Sequence, residues 1–292
     1  MEEIEQYILP GIPLTPQEEV ARMSLKERVE RACELLDLHE PDEGYYLAFS
    51  GGKDSCVIKR LAEMADVKFE ARYNSTTIDP PELIRFIKRH HADVEWNLPK
   101  HGNMMHRVAT APKVPPTRNG RWCCEEYKEH GGNKRVKIMG VRAAESVARK
   151  RRWSEVAEDL NKDRVICPIV HWSDAQLWEF IRAYEVPYCE LYDQGWTRLG
   201  CVGCPLATRE NQDREFATWP AFERNWKKAV IKNWEKWHDK PNTKTGNPRY
   251  QAKFSSGEAF WAWWRKYKAP DVIRGDCQSG LLWTNEELEE IE

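Results

Sequence analysis

The sequence predicts an α/β chain: a doubly wound, mostly parallel, five-stranded sheet of Rossmann-like type with a helical C-terminal extension. Three observations predict it. Short apolar runs alternate with helical periods between residues 40 and 195, the pattern of parallel strands joined by crossover helices. One of those runs passes through a glycine turn straight into a helix, at residues 45–64. From residue 213 onward, aromatic side chains recur every three or four positions, which is helical spacing.

Taken in order, residues 1–24 read as a tether with three prolines and several acids. A helix is expected from Leu25 to Leu36, with Val29, Ala32, Leu35 and Leu36 on its inner face. Pro41, Asp42 and Gly44 then turn the chain. Tyr45-Tyr46-Leu47-Ala48-Phe49 is nearly all apolar, as a buried parallel strand is. After the glycine turn, Cys56, Val57, Leu61 and Met64 follow helical spacing. A second strand, Val67 to Tyr73, ends in Asn74-Ser75-Thr76-Thr77. Pro80-Pro81 can open a helix, since proline is tolerated in a first turn, with Leu83, Phe86 and Ile87 inward. Asp93 to Asn97 is a third strand. Residues 98–134 lack a period, hold Pro115-Pro116, and read as a long functional insertion. Arg135 to Val141 and Arg164 to Val170 are the fourth and fifth strands. Ser173 and Gln176 form a capping box ahead of a helix lined by Leu177, Phe180, Ile181 and Tyr184. Residues 213–268 read as helical, with Phe216, Trp219, Phe222, Trp226, Val230 and Trp234 as a packed core face in preference to a base-stacking platform. The expected division is a tether and helix over 1–40, the α/β domain over 41–206 and a Trp-rich helical region over 207–292.

Composition narrows the function. Lys and Arg number 45 against 47 Asp and Glu, a net charge of -2. That excludes a protein whose main work is coating nucleic acid and leaves room for a local basic groove. The 14 Trp, 10 Tyr and 8 Phe exclude a disordered chain. No stretch approaches the ~20 apolar residues of a membrane span. The acidic N-terminus lacks the apolar core of a secretory signal, so the expected compartment is the cytoplasm. Nine cysteines in a reducing compartment are core residues, metal ligands or reactive thiols in place of a disulfide framework.

Ser50-Gly51-Gly52-Lys53-Asp54-Ser55 lies between strand and helix. Such a turn aims backbone N–H groups and the positive helix end at one point, which suits phosphate. Lys53 adds charge, Ser50 and Ser55 add donors, and Asp54 is a candidate ligand for Mg²⁺. The Walker spacing and the dinucleotide G-x-G-x-x-G are both absent.

The loop resembles the PP-loop of the ATP-pyrophosphatase group within the adenine nucleotide alpha-hydrolase-like superfamily. Gly140-Val141-Arg142-Ala143-Ala144-Glu145-Ser146 with Arg149 resembles the G-x-R-x-x-E-S-x-x-R region of the phosphoadenosine phosphosulfate (PAPS) reductase family. Pro168 to Asp174, running on through Leu177-Trp178 to Tyr192, resembles a helix shared with the ATP sulfurylase small subunit. The resemblance covers about residues 42–206. It implies an adenine nucleotide over the C-terminal edge of the sheet. Ser50, Gly51, Gly52, Lys53, Asp54 and Ser55 would take its phosphates, and Tyr73, Ser75 and Thr76 would lie near adenine or ribose. Gly140, Arg142 and Arg149 would lie on the phosphate, sulfate or acceptor side. Lys53, Asp54, Arg142 and Arg149 are the catalytic candidates.

Cys201-Val202-Gly203-Cys204 and the vicinal Cys123-Cys124 can together supply four soft thiolates, for zinc or an iron–sulfur cluster. Vicinal cysteines suit zinc poorly, because adjacent residues rarely both aim at one small ion. The arrangement resembles adenylylsulfate reductases and the iron–sulfur proteins of DNA phosphorothioation. This implies a [4Fe–4S] cluster on Cys123, Cys124, Cys201 and Cys204, with Cys167 or Cys189 as substitutes. Cys33 and Cys56 read as core. Sulfonucleotide reductases carry a nucleophilic cysteine in a C-terminal Glu-Cys-Gly-x-x-His-type motif, which is lacking here, and Cys277 is the remaining candidate. Their loop is also usually degraded, whereas this one is intact.

The resemblance therefore implies an ATP pyrophosphatase of sulfur-transfer type, using ATP, Mg²⁺ and the cluster. A reductase of adenylyl or phosphoadenylyl sulfate is the alternative, and a non-catalytic nucleotide sensor in a phage or defence setting is a third. Expected partners are a sulfur donor or thiol carrier and an acceptor, which a tRNA base, a DNA backbone or a small molecule could each supply. No membrane partner is expected, and oligomerisation is left open. The basic run Arg149-Lys150-Arg151-Arg152 is a solvated face or a phosphate contact.

Overall fold

The computed structural model describes residues 13–266. They form two compact units, each discontinuous in sequence. The first comprises residues 13–73, 85–95 and 132–197, and the second residues 74–84, 96–131 and 198–266.

The sheet lies mainly in the first unit. Its strands are β1 (Tyr45–Phe49), β2 (Phe69–Asn74), β3 (Glu95–Asn97), β4 (Lys137–Ile138), β5 (Val156–Glu158) and β6 (Arg164–Ile166), in the order β3-β2-β1-β4-β6-β5. The β1–β2, β1–β4 and β4–β6 pairs are parallel. The expected architecture holds, with six strands in place of five. The additional strand β5 pairs antiparallel with β6 at the edge. A tight turn sets that pairing: Asp159 N–H donates to the Asp163 carbonyl and Lys162 adopts φ 63°. Four strands are shorter than expected: β2 and β3 each begin two residues late, at Phe69 and Glu95, and β4 and β6 end early, at Ile138 and Ile166. β4 stops because Gly140 leaves the ladder beside Asp54, and β6 stops ahead of Pro168, which has no N–H to continue it.

Leu47, Ile138, Val165 and Ile166 in the strands are fully buried, as are Val57, Ile58 and Leu61 of helix α3 (Lys53–Met64). The expected tether contains α1 (Pro16–Arg22), capped by a Thr15–Glu18 box. α2 runs Leu25–Leu38, two residues beyond expectation. α4 (Pro81–His90) follows the proline pair. The Ser173–Gln176 capping box forms as expected at the head of α8 (Asp174–Ala183).

The second unit is helical. The aperiodic insertion contains α5 (Met104–Thr110) and α6 (Trp122–Tyr127). α7 (Val147–Arg152), in the first unit, carries the basic run. α9 (Arg209–Thr218), α10 (Pro220–Trp237) and α11 (Gly257–Lys266) complete the second unit. Phe216, Trp219, Trp226 and Val230 are buried, so most of the aromatic stripe is core. Trp226 stacks on Trp264 at 4.7 Å between centroids. The buried Asn233 amide donates to the carbonyls of Val108, Ala111 and Lys113, tying α10 to the end of α5. No described helix is long and apolar enough to cross a membrane.

Candidate functional site

In the first unit, β1 lies where the strand order reverses, and parallel α/β sheets bind ligands outside the strand C-termini at such a point. The chain leaves β1 into residues 50–55 and leaves β4 into residues 139–142, so both loops open at the same edge. Gly51 takes φ 73°, which only glycine adopts readily. Gly140 packs closely too, since a Cβ there would lie 3.0 Å from the Asp54 carbonyl, tighter than an ordinary contact.

α3 begins at this turn, and its N-cap Gly52 provides no side-chain cap. Surrounding hydroxyls serve instead. Gly52 N–H reaches Ser50 Oγ at 3.4 Å, and Lys53 N–H donates to the Tyr192 hydroxyl at 3.0 Å. Ser55 Oγ donates to the Gly52 carbonyl at 2.8 Å. These amides point at the helix N-terminus, where anions bind.

Four charged groups surround the turn. Arg142 (3% exposed) and Lys53 (6% exposed) are buried. Arg142 donates through Nε to Asp54 and through Nη2 to Asp174 Oδ1 at 3.0 Å. Lys53 Nζ lies 3.3 Å from Asp174, 3.6 Å from Asp54 and 3.3 Å from the Thr197 carbonyl oxygen. Two cations thus offset two carboxylates. Asp54 and Asp174 supply the hard oxygens that magnesium prefers, and both are engaged by the two cations.

The first unit therefore brings Ser50 through Ser55, Gly140 and Arg142 together. Tyr73 pairs in register with Phe49, at the same edge. Arg149 instead pairs with Glu145 beside α7. Sequence reasoning missed two members. Tyr192 is half-buried, and the desolvation of its hydroxyl pushes the phenol pKa up; its ring packs on Trp178. Asp174, like Tyr192, was legible only as part of the Pro168–Tyr192 stretch of resemblance and not as a member of the site.

The second unit gathers the four cysteines. Ser75 and Thr76 belong here. Thr76 donates to Asp79 at 2.6 Å, and Ile78 accepts from Val202 N–H at 2.8 Å, which seats the Cys201–Cys204 turn. Gly203 (φ 75°) leaves no room for a Cβ, which would meet Trp226 Nε1 at 2.6 Å and Phe216 Cζ at 2.7 Å. Trp226 Nε1 donates to the Val202 carbonyl at 2.9 Å, and Gly203 N–H donates to Glu215 at 2.7 Å. Burial raises the Glu215 carboxyl to about 7, against the pull of the Gly203 and Cys204 amides. Cys123 and Cys124 lie on α6 and hydrogen-bond one another. That bond, with Arg121 and Lys128 nearby, lowers the Cys124 thiol below its ordinary range, while Cys123 is raised. Burial raises Cys201 to about 12. The thiol groups of Cys201 and Cys204, with Asp79, hold the Lys128 ammonium above its ordinary range. Lys128 was not foreseen, although its place four residues after Cys124 is the signal.

The donor set is soft and faced by cations, the chemistry of a sulfur-ligated metal centre. Four thiolates around one zinc ion would sit about 3.8 Å apart, from a Zn–S distance of ~2.3 Å. Among the described residues, no three His, Cys, Asp or Glu side chains close around a single ion in that way. Cys167 and Cys189 are fully buried, and Cys56 contacts His91 Nε2 at 3.6 Å. Cys277 lies outside the described residues.

A family model described as the phosphoadenosine phosphosulfate reductase domain matches residues 44–207. The chain is similar to an uncharacterized protein of Methanocaldococcus jannaschii, with 28% identity over 235 residues, 77% of this chain and 56% of that protein. It is similar to an adenosine 5'-phosphosulfate reductase of Oceanobacillus iheyensis, with 29% identity over 92 residues, 30% of this chain and 36% of that one. Among solved structures, the phosphoadenylyl-sulfate reductase of Candida auris aligns with a TM-score of 0.46 and 16% identity, covering 65% of this chain and 97% of that chain. The chain thus spans about half or less of the length of these curated relatives.

Proposed function

This chain belongs to the phosphoadenosine phosphosulfate reductase family, and we propose that its α/β unit binds ATP and cleaves it between the α and β phosphates. The observation that carries this reading is the intact loop, Ser50 to Ser55, at the β1 edge with Lys53 and Arg142 buried beside it. The loop amides, Lys53 and Arg142 would hold the phosphates. An acceptor oxygen attacks the α-phosphorus, the bond to the bridging oxygen breaks, and pyrophosphate leaves with its electron pair. Lys53 and Arg142 oppose the charge that develops there. A sulfur nucleophile then displaces AMP from the acceptor. Magnesium would arrive on the nucleotide and take an oxygen of Asp54, adding Lewis-acid charge. Cys123, Cys124, Cys201 and Cys204 would hold a [4Fe–4S] cluster, which supplies a soft, electron-rich centre. Lys53→Ala and Asp54→Ala should each abolish pyrophosphate release from ATP. Retained release in both would sink the assignment of the loop.

One observation favours a second reading. The named relative of Oceanobacillus iheyensis is an adenosine 5'-phosphosulfate reductase. If this chain shares that activity, it releases sulfite from a sulfonucleotide with a dithiol, and Cys277 is the thiol to mutate.

A further inference from the structure

Residues 227–253 hold Lys227, Lys228, Lys232, Lys236, Lys240, Lys244, Arg249 and Lys253 against only Glu235 and Asp239. This stretch carries about +6 within a chain of net charge -2, so the cations are concentrated. It comprises the second half of α10 and the turn that follows. That turn is closed by a Pro241–Pro248 bridge and by Asn242 N–H donating to the Asn247 carbonyl at 2.7 Å.

Between the turn and residues 112–114 runs a shallow, open groove of about 70 Å³. Lys113, Arg249 and Lys253 line it, with Asn242, Thr245 and Gln251; no carboxylate lines it, although Lys113 Nζ lies 3.6 Å from Glu126 beneath. Its floor is fixed. Arg249 donates to the Pro112 carbonyl at 2.9 Å, and Gln251 donates to Asn233 Oδ1 at 2.8 Å. The guanidinium of Arg249 sits 4.8 Å from the Trp237 ring centroid, and Lys236 and Lys240 each lie 5.3 Å from it. The Arg249 Nε is buried without a hydrogen-bond partner. Lys253 lies 4.7 Å over Tyr250.

We propose that this groove binds a single-stranded nucleic acid, with phosphates on Lys113, Arg249 and Lys253. Three features favour that partner. The surface is concave and strongly cationic, as a strand-tracking channel is. Asn242 and Thr245 offer amide and hydroxyl groups to base edges. Among the described residues the large exposed hydrophobics are Leu38, Leu98, Val147 and Leu160, so residues 227–253 contribute no apolar wedge of the kind that inserts into a lipid surface. The inference does not depend on ATP turnover.

The test is fluorescence anisotropy with the full chain and a labelled single-stranded oligonucleotide, across salt concentrations. Three neutralised phosphates predict a slope of log K against log salt of about -2, at roughly -0.7 per contact. Affinity should then fall about 20-fold between roughly 50 and 200 mM salt. Lys253→Gln and Lys244→Glu, both on exposed positions, should weaken binding several-fold, and Lys253→Gln should flatten the slope. Lys26→Gln, on the exposed face of α2, should leave affinity unchanged. Absence of binding at the lower salt, equal binding by every variant, or preference for vesicles rich in anionic phospholipid would each overturn the proposal.

Discussion

Gly203→Ala should be among the most damaging single-methyl additions to this protein. The glycine adopts φ 75° between Cys201 and Cys204, where an alanine costs about 1–2 kcal/mol for the left-handed backbone. Its new Cβ would also lie 2.6 Å from Trp226 Nε1 and 2.7 Å from Phe216 Cζ. Both rings are buried, so relief must come from shifting the packed core, at about 1–3 kcal/mol. The sum is about 2–5 kcal/mol. Gly102→Ala separates the two contributions, because Gly102 has φ 69° and a Cβ added there would meet nothing within 4 Å. It should cost only the backbone share. Urea unfolding of both variants, read by tryptophan fluorescence, gives the difference. Equal destabilisation would refute the claim that Trp226 and Phe216 clamp the cysteine turn.

Three other outcomes are expected. Arg142→Ala should lower ATP turnover roughly 100-fold or more, the range for losing one preorganised charge donor, as read by pyrophosphate release. Cys201→Ser should remove iron and visible absorbance from anaerobically prepared protein, while stoichiometric zinc in colourless wild type would reverse the cluster assignment. The third concerns His91, 5% exposed and in contact with Phe49 and Phe86. Burial, aided by Lys59, lowers its pKa to about 4 from 6.5. The folded state therefore resists protonation that the unfolded chain accepts, so stability falls as pH drops from about 6.5 to 4, by about 3 kcal/mol at roughly 1.36 kcal/mol per unit. His91→Leu should remove that part of the pH dependence of urea midpoints, and an unchanged profile would count against it.

Much of the α/β unit was legible because its signals are local. The apolar run at Tyr45–Phe49, the glycines after it and the Ser173–Gln176 box each fix a short stretch by themselves, and all three recur in the structure. β5 was not legible: Val156–Glu158 is short and half-exposed, and it becomes a strand only by pairing with β6. α5 and α6, at seven and six residues, are too brief to show a helical period. Site members contributed from far along the chain were also hidden. Tyr192 lies 139 positions from the amide it accepts from, and Glu215 is bonded to Gly203 only because α9 folds back onto the cysteine turn. The loop, Arg142 and the cysteine pairs stood out because their chemistry is written in residue types.

The most direct test of the central claim is a count of nucleotide products from anaerobically purified protein in two parallel incubations. One contains ATP and Mg²⁺ with candidate acceptors, and the other adenylyl and phosphoadenylyl sulfates with a dithiol. The account predicts AMP and pyrophosphate in equal amounts from ATP, lost in Lys53→Ala. Sulfite with AMP or its 3′-phosphorylated form from the second tube, and no AMP from the first, would contradict it.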